Sequence, residues 1–318
     1  MFETFIAKAP LRLPLGGGGT DIDSFYTKEP GFWISGTIDK YIYVVVRPRF
    51  ERNLRIAYSA LEYVDHPSEL EHPVIREALL DHHLTEHVEI ATFADLPSRL
   101  GLGSSGCFTV ALLHALAWYT EKYRLARGTL AENAYRIEHD KLNRPIGKQD
   151  QYSAAFGSLR GYHVQQNGNV IVDKPFETGT AEDLQDWLLL FYVNRRNQSI
   201  NEVLSKNTYE DMQEILRIGW ESHRCIKDRD FLSLGLFMSQ HWEIKRKVPC
   251  NEQFDSLIQL GRKLGAEGGK LIGAGGGGCL LFVCEPVKKE SVVKGLTERG
   301  LTHIPFKFVH KGSEVTNV

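Results

Sequence analysis

The chain has 318 residues, of which 42% are hydrophobic and 25% charged, and its formal net charge at pH 7 is −2. This length predicts one large or two ordinary domains, and the small net charge argues against nucleic acid as a partner, because phosphate backbones are bound by basic faces. The sequence contains neither an apolar run of the roughly 18 residues that a membrane span needs nor the features of a signal peptide. We therefore expect a cytoplasmic protein with no membrane partner, whose five scattered cysteines are reduced thiols.

The first notable feature along the chain is a run of four glycines, Gly16 to Gly19, which precedes Thr20 and Asp21. Such a run by itself is equally compatible with a flexible turn, because glycine adopts backbone angles that other residues avoid. Strands are predicted after it over residues 37–47, 53–58 and 88–93, which are rich in β-branched and aromatic residues.

A second glycine cluster, residues 97–106, leads into a segment that is apolar on nearly every face. This segment predicts a buried helix from Ser104 to about residue 122. The N–H groups at the start of a helix lack intrahelical partners and lie at the positive end of its dipole, so they suit a phosphate. The cluster lacks the lysine of a P-loop, and a tight strand-to-helix turn is the simpler alternative. The pattern therefore suggests a nucleotide phosphate site of a different kind.

Two carboxylates follow this helix. Glu138 lies in a helix predicted over about residues 129–142, and Asp150 comes just after a break at residues 143–147. On local sequence alone, Glu138 fits a solvated helical residue and Asp150 fits a helix cap. A chemical role for either residue needs further support.

In the second half of the chain, a strand is predicted over 188–193, and helices are predicted over about 209–227, 230–247 and 251–264. Strands are predicted on both sides of a third glycine cluster, residues 273–278, and a helix over 287–299 and a strand over 305–309 follow. This cluster matches the G-x-G-x-x-G pattern, but a strand rather than a helix follows it, so we predict close backbone packing instead of a dinucleotide site. The segregation of strands from helices indicates an α+β fold, divided here into domains 1–175 and 176–318.

Together, three motifs in this order resemble those of the GHMP kinases, the family of galactokinase, homoserine kinase and mevalonate kinase. They span Pro10 to Asp21, Leu100 to Gly106, and Lys270 to Gly278. The resemblance covers essentially the whole chain. It implies an N-terminal domain with a left-handed βαβ unit, a ferredoxin-like C-terminal domain, and ATP and Mg²⁺ as cofactors. Segments such as His241 to Arg246 are most similar to sugar 1-kinases that phosphorylate the anomeric hydroxyl of a heptose 7-phosphate, on the route to nucleotide-activated heptose for surface polysaccharides.

The resemblance also implies roles for individual residues. Asp150 would be the catalytic base, Arg12 would stabilise charge beside it, and Ser105 and Glu138 would hold Mg²⁺. The ATP phosphates would lie on Leu100, Gly101, Leu102, Gly103, Ser104, Ser105 and Gly106. The substrate would contact Gly18, Gly19, Thr20, Asp21, Lys148, Arg196, Lys245, Gly275, Gly276 and Gly277. The cations that could bind a phosphate on the substrate are Lys148, Arg195, Arg196, Lys245 and Lys270.

Two alternatives to a heptose phosphate kinase stay open at this point. One is a kinase of the same fold that acts on galactose, fucose, mannose or an unphosphorylated heptose. The other is a sensor that binds ATP and a sugar without catalysis. The sequence also leaves the oligomeric state open, with a homodimer as one possible state.

Overall fold

The computed structural model describes residues 3–121, 125–194, 207–247 and 254–318, which form two β-sheets covered by helices. The strands are β1 (Phe5–Gly16), β2 (Gly31–Pro48), β3 (Leu54–Ala57), β4 (Leu61–Val64), β5 (Val88–Ala94), β6 (Leu159–Val164), β7 (Val170–Val172), β8 (Leu188–Asn194), β9 (Ala266–Leu271), β10 (Gly278–Cys284), β11 (Thr302–His303) and β12 (Glu314–Asn317). The helices are α1 (Asp23–Tyr26), α2 (Pro73–Asp81), α3 (Ser104–Glu121), α4 (Arg127–Arg136), α5 (Gln149–Phe156), α6 (Thr178–Trp187), α7 (Tyr209–Asp228), α8 (Phe231–Lys245), α9 (Asp255–Lys263) and α10 (Lys289–Thr297).

The larger sheet is organised by β2, an 18-residue strand. It pairs antiparallel with β1 along most of its length, with β5 over its second half and with β6 over its first half. On the far side of β1, β12 brings the last strand of the chain into the same sheet. The division into domains 1–175 and 176–318 stays a prediction. The pairing of β12 with β1 joins residues from the two sides of this boundary.

Helix α3 packs against β1, β2 and α5 and is buried along nearly all of its length. Its residues are apolar on nearly every face, which is the composition of a helix enclosed on all sides. The helix predicted from Ser104 to about residue 122 is therefore confirmed as far as Glu121, the last described residue of this segment, and it packs on the β1–β2 layer.

The second sheet has the antiparallel order β11-β8-β10-β9 among the described strands. Helix α8 packs on β9, and α9 contacts both β9 and α10. Phe191, Trp242 and Phe282 are buried in the core of this half. The strands predicted on both sides of the third glycine cluster are confirmed as β9 and β10, and the α+β class is confirmed for the fold.

The structure corrects two of the predicted elements. Residues 305–309 are not a strand: they make one isolated bridge, Ile38 to Phe308, and the N–H of Phe308 donates to the side chain of Gln185 instead. The helix predicted over 129–142 ends at Arg136, and Ile137–Lys141 continue as one π-helical turn. None of the helices within the described ranges is long and apolar enough to cross a membrane.

Candidate active site

A cleft with a volume of about 1750 Å³ is lined by residues from both halves of the chain. The first half contributes the loop after β1, the first turn of α3 and the first turn of α5. The second half contributes His241 and Lys245 of α8, Lys270 of β9, and Gly273 and Ala274 beyond β9. The three glycine-rich motifs therefore meet around one cleft.

Arg12 and Asp150, 138 positions apart in the sequence, form an ion pair at this cleft. The Nε and Nη2 atoms of Arg12 donate to Oδ1 of Asp150 at 2.9 and 2.5 Å. Its Nη1 donates to the carbonyl of Gly101 at 2.6 Å. The guanidinium is buried, whereas the side chain of Asp150 is 30% exposed and lines the cleft. A carboxylate oriented in this way can accept the proton of a bound hydroxyl group.

The loop before α3 is fixed through its carbonyl groups. Leu102 accepts from the N–H of Arg12 at 3.0 Å, and Leu100 accepts from the N–H of Cys279 at 3.1 Å. Gly101 has φ +79°, and a Cβ on Gly273 would lie 2.5 Å from its Cα, so the second and third glycine clusters pack backbone to backbone. This contact confirms the close packing predicted for residues 273–278.

The predicted phosphate-binding residues divide into two groups. Leu100 and Leu102 are buried in the core, where their side chains anchor the loop. The residues that line the cleft are Gly101, Gly103, Ser104, Ser105 and Gly106. The cleft therefore meets the start of α3, where the N–H groups of a helix lack intrahelical partners.

Glu138 is buried, with an exposed fraction of only 1%, so it is not a solvated helical residue. Its Oε2 accepts from Ser105 Oγ at 2.5 Å and from Arg144 Nη1 at 3.0 Å. Its Oε1 accepts from Thr109 Oγ1 at 2.9 Å and from Gln151 Nε2 at 3.2 Å. These contacts hold the carboxylate beside the hydroxyl of Ser105 and the first turn of α3.

Glu138 and Ser105 fit a Mg²⁺ site because they offer a carboxylate and a hydroxyl oxygen, which are hard donors, at the wall of the cleft. Among the described residues, no group of three or more His, Cys, Asp or Glu side chains could hold a metal. Such a sparse protein ligand set suits Mg²⁺, which commonly keeps water and phosphate ligands.

The loop after β1 contributes Gly18, Gly19 and Asp21 to the cleft. Asp21 is buried, and its two oxygens accept from the N–H groups of Gly19 at 2.9 Å and Gln149 at 2.8 Å. Burial raises the pKa of this carboxyl group, while the hydrogen bonds from Gln149 and Gly19 oppose the shift. The side chain therefore caps α5 and joins the glycine loop to the helix that carries Asp150.

Five of the residues predicted to contact the substrate lie outside the cleft lining. Thr20 is fully buried, and its Oγ1 donates within the fold to the carbonyls of Gly17 and Phe32. Lys148 is buried outside the cleft lining, where Glu132 and the carbonyl of Gly168 hold its Nζ. The residues of the third cluster at the cleft are Gly273 and Ala274 rather than Gly275, Gly276 and Gly277.

Of the four remaining candidate cations, Lys245 lines the cleft and donates to the carbonyls of Leu271 at 2.9 Å and Gly273 at 2.5 Å. Arg196 lies outside the described residues, as does its neighbour Arg195. Lys270, also a sequence candidate, lines the cleft beside His241.

Arg144 and Gln149 are cleft residues that the sequence interpretation missed. Both lie between Glu138 and Asp150, the two carboxylates that the sequence singled out, and this position is the signal that could have found them.

Comparison with known proteins agrees with this geometry. The profile "GHMP kinases N terminal domain" matches residues 71–158, and "GHMP kinases C terminal" matches residues 222–301. The chain is similar to D-glycero-alpha-D-manno-heptose 7-phosphate kinase of Campylobacter jejuni, with 27% identity over 98% of this chain and 98% of the relative. Mevalonate kinase of Pyrococcus abyssi is 26% identical over 95% of this chain and 86% of its own. A solved D-glycero-D-manno-heptose 1-phosphate kinase from Bacteriodes thetaiotaomicron has a TM-score of 0.84 and 27% identity over 99% of both chains.

Proposed function

Because the chain belongs to the GHMP kinase family, we propose that it is an ATP- and Mg²⁺-dependent sugar kinase that phosphorylates the anomeric C1 hydroxyl of D-glycero-D-manno-heptose 7-phosphate. The observation that carries the catalytic part of the proposal is the Arg12–Asp150 pair at a cleft that also receives the start of α3. The heptose phosphate part rests on the end-to-end similarity to the Campylobacter jejuni enzyme.

Phosphoryl transfer needs positioning and charge stabilisation more than covalent chemistry from the protein. In the proposed reaction, Asp150 orients the C1 hydroxyl and takes up its proton as the oxygen attacks the γ-phosphorus of ATP. The bond between that phosphorus and the bridging oxygen breaks, and ADP leaves. Arg12 holds Asp150 in place and stabilises negative charge that develops beside it.

The other cleft residues bind and orient the two substrates. The N–H groups at residues 103–106 suit the ATP phosphates, and Asp21 with its glycine loop forms the wall next to Asp150. Ser105 and Glu138 would hold Mg²⁺, which neutralises phosphate charge when bound. The product carries phosphates at C1 and C7, and its C1 phosphate is the group that a later nucleotidyl transfer would use on a route to nucleotide-activated heptose and surface polysaccharide.

The proposal is tested by measuring ADP formation with a panel of acceptors: D-glycero-D-manno-heptose 7-phosphate, the same heptose without phosphate, mannose, fucose, galactose and mevalonate. We expect the highest kcat/KM for the heptose 7-phosphate, with phosphorus NMR placing the new phosphate on C1. Faster turnover of another sugar would reject the heptose assignment. Absence of ADP formation with every acceptor, despite ATP and sugar binding, would favour the non-catalytic sensor.

A further inference from the structure

Lys270 is a buried lysine in the cleft wall that lacks an acidic partner. Its exposed fraction is 2%, and its Nζ donates to the carbonyl of Leu15 at 2.9 Å and lies 3.3 Å from Nδ1 of His241. Across the ranges that the structure describes, no carboxylate forms an ion pair with it. An ammonium group in such surroundings is costly unless an anion accompanies it.

The charged groups near Lys270 have the same sign. Burial, and after it the charges of Lys245 and Arg12, hold the pKa of Lys270 well below the usual value. Burial, Lys270 and Lys245 likewise lower the pKa of His241. All four side chains line the same cleft. This part of the wall therefore brings together the basic side chains of Arg12, His241, Lys245 and Lys270, and Arg12 holds the carboxylate of Asp150.

Resting on the proposed kinase function, we propose that Lys270, His241 and Lys245 form a subsite that binds a phosphate group. A phosphate dianion would supply the missing opposite charge and accept hydrogen bonds from the lysine and histidine side chains. The subsite belongs to β9 and α8 of the second half of the chain, but Lys270 docks on Leu15 of β1, the strand that carries Arg12.

Two phosphates could occupy this subsite: the one that the sugar already carries, or the phosphoryl group in transfer from ATP. Leu15 lies three residues beyond Arg12 in β1, a separation of about 10 Å along an extended strand, which is comparable with the length of a phosphorylated sugar. This spacing favours the phosphate of the sugar. The experiment below distinguishes the two sources.

The probe is inorganic phosphate, titrated calorimetrically into the full-length protein saturated with ADP. We compare the wild type with Lys270→Met, which keeps the length of the side chain and removes its charge. We expect at least tenfold weaker phosphate binding in Lys270→Met. Lys148→Met is the matched control, because Lys148 is equally enclosed but paired with Glu132 outside the cleft lining, and we expect unchanged phosphate affinity. Equal affinity in wild type and Lys270→Met would overturn the proposal.

A measurement on the wild type keeps the test decisive if Lys270→Met fails to fold. Phosphate binding should shift the imidazole NMR signals of His241, assigned through His241→Gln, and the absence of a shift at saturation would contradict the subsite. Repeating the titration with a non-hydrolysable ATP analogue then identifies the source. Retained phosphate binding assigns the subsite to the phosphate of the sugar, whereas competition assigns it to the transferred group. These titrations need no sugar substrate, so they can confirm the phosphate subsite even if the heptose assignment fails. Conversely, the acceptor panel can confirm the heptose assignment even if the phosphate subsite is rejected.

Discussion

Replacement of Asp150 should impair the phosphoryl transfer step without impairing ATP binding. Asparagine keeps the shape of the side chain and an oxygen that can accept from Arg12, but it cannot take up the proton of a hydroxyl group. We expect Asp150→Asn to lower kcat by about 10²- to 10⁴-fold, the usual contribution of general acid–base catalysis. The dissociation constant of a non-hydrolysable ATP analogue, measured by calorimetry, should change little. A variant with near-normal turnover would refute the role of Asp150 as the base.

Glu138 permits a similar test of the Mg²⁺ site. Glu138→Gln removes the charge that Ser105 and Arg144 contact, so a cation is bound less tightly, and the Mg²⁺ concentration for half-maximal activity should rise about tenfold or more. Ser105→Ala should shift the requirement in the same direction. Asp140→Asn is the control, because this carboxylate lies in the same π-helical turn but is exposed and contacts His139. An unchanged Mg²⁺ requirement in Glu138→Gln would show that Glu138 does not hold the cation.

At the scale of secondary-structure elements, the sequence predicted what depends on local pattern. The uniformly apolar run after Ser104 specified a buried helix, and the strand after residues 273–278 followed from the apolar run Cys279 to Val283. The π-helical turn at Ile137–Lys141 was not predictable, because tertiary contacts of Glu138 compete there with the α-helical pattern. Local pattern also cannot assign Lys148 to Glu132 rather than to a ligand, since their pairing depends on how α4 packs on α5.

The contact between the loop before α3 and the third glycine cluster predicts the effect of one added methyl group. A Cβ at Gly273, whose φ is +76°, would lie 2.5 Å from the Cα of Gly101, so Gly273→Ala must displace the loop. We expect a lower Tm and a several-fold higher KM for ATP. Gly300→Ala is the matched control, because Gly300 has φ +86° with nothing within 4 Å of the added Cβ. It should cost about 1 kcal/mol of stability from backbone strain and leave the KM for ATP unchanged. An unaltered KM for ATP in Gly273→Ala would show that this contact does not affect nucleotide binding.

At the scale of the whole molecule, the two halves of the chain are joined near the candidate site. Lys270 of β9 donates to Leu15 of β1, and the N–H of Cys279 in β10 donates to Leu100 of the loop before α3. The sequence motifs indicated that these segments cooperate, because the resemblance places them at one site. Their hydrogen bonds were beyond prediction, since each joins residues more than 170 positions apart.

The junction makes the stability of the protein depend on pH through His241. Burial, followed by the charges of Lys270 and Lys245, holds the pKa of His241 well below its usual value, so the folded protein keeps this imidazole neutral. The unfolded chain takes up a proton near pH 6.5, and the neutral histidine therefore favours folding fully above that pH and progressively less below it. The expected loss from this group approaches 1.4 kcal/mol per pH unit in acid.

His241→Gln removes the titrating group but keeps an oxygen that can accept from Lys270. The free energy of unfolding is measured by chemical denaturation between pH 7.5 and about 5. We expect it to fall more steeply with decreasing pH in the wild type than in His241→Gln, by up to the slope that uptake of one proton on unfolding gives. His310→Gln is the control, because this side chain is exposed, and its profile should parallel that of the wild type. Parallel profiles for wild type and His241→Gln would mean that His241 titrates alike in the folded and unfolded chains, which contradicts an imidazole kept neutral by burial at this junction.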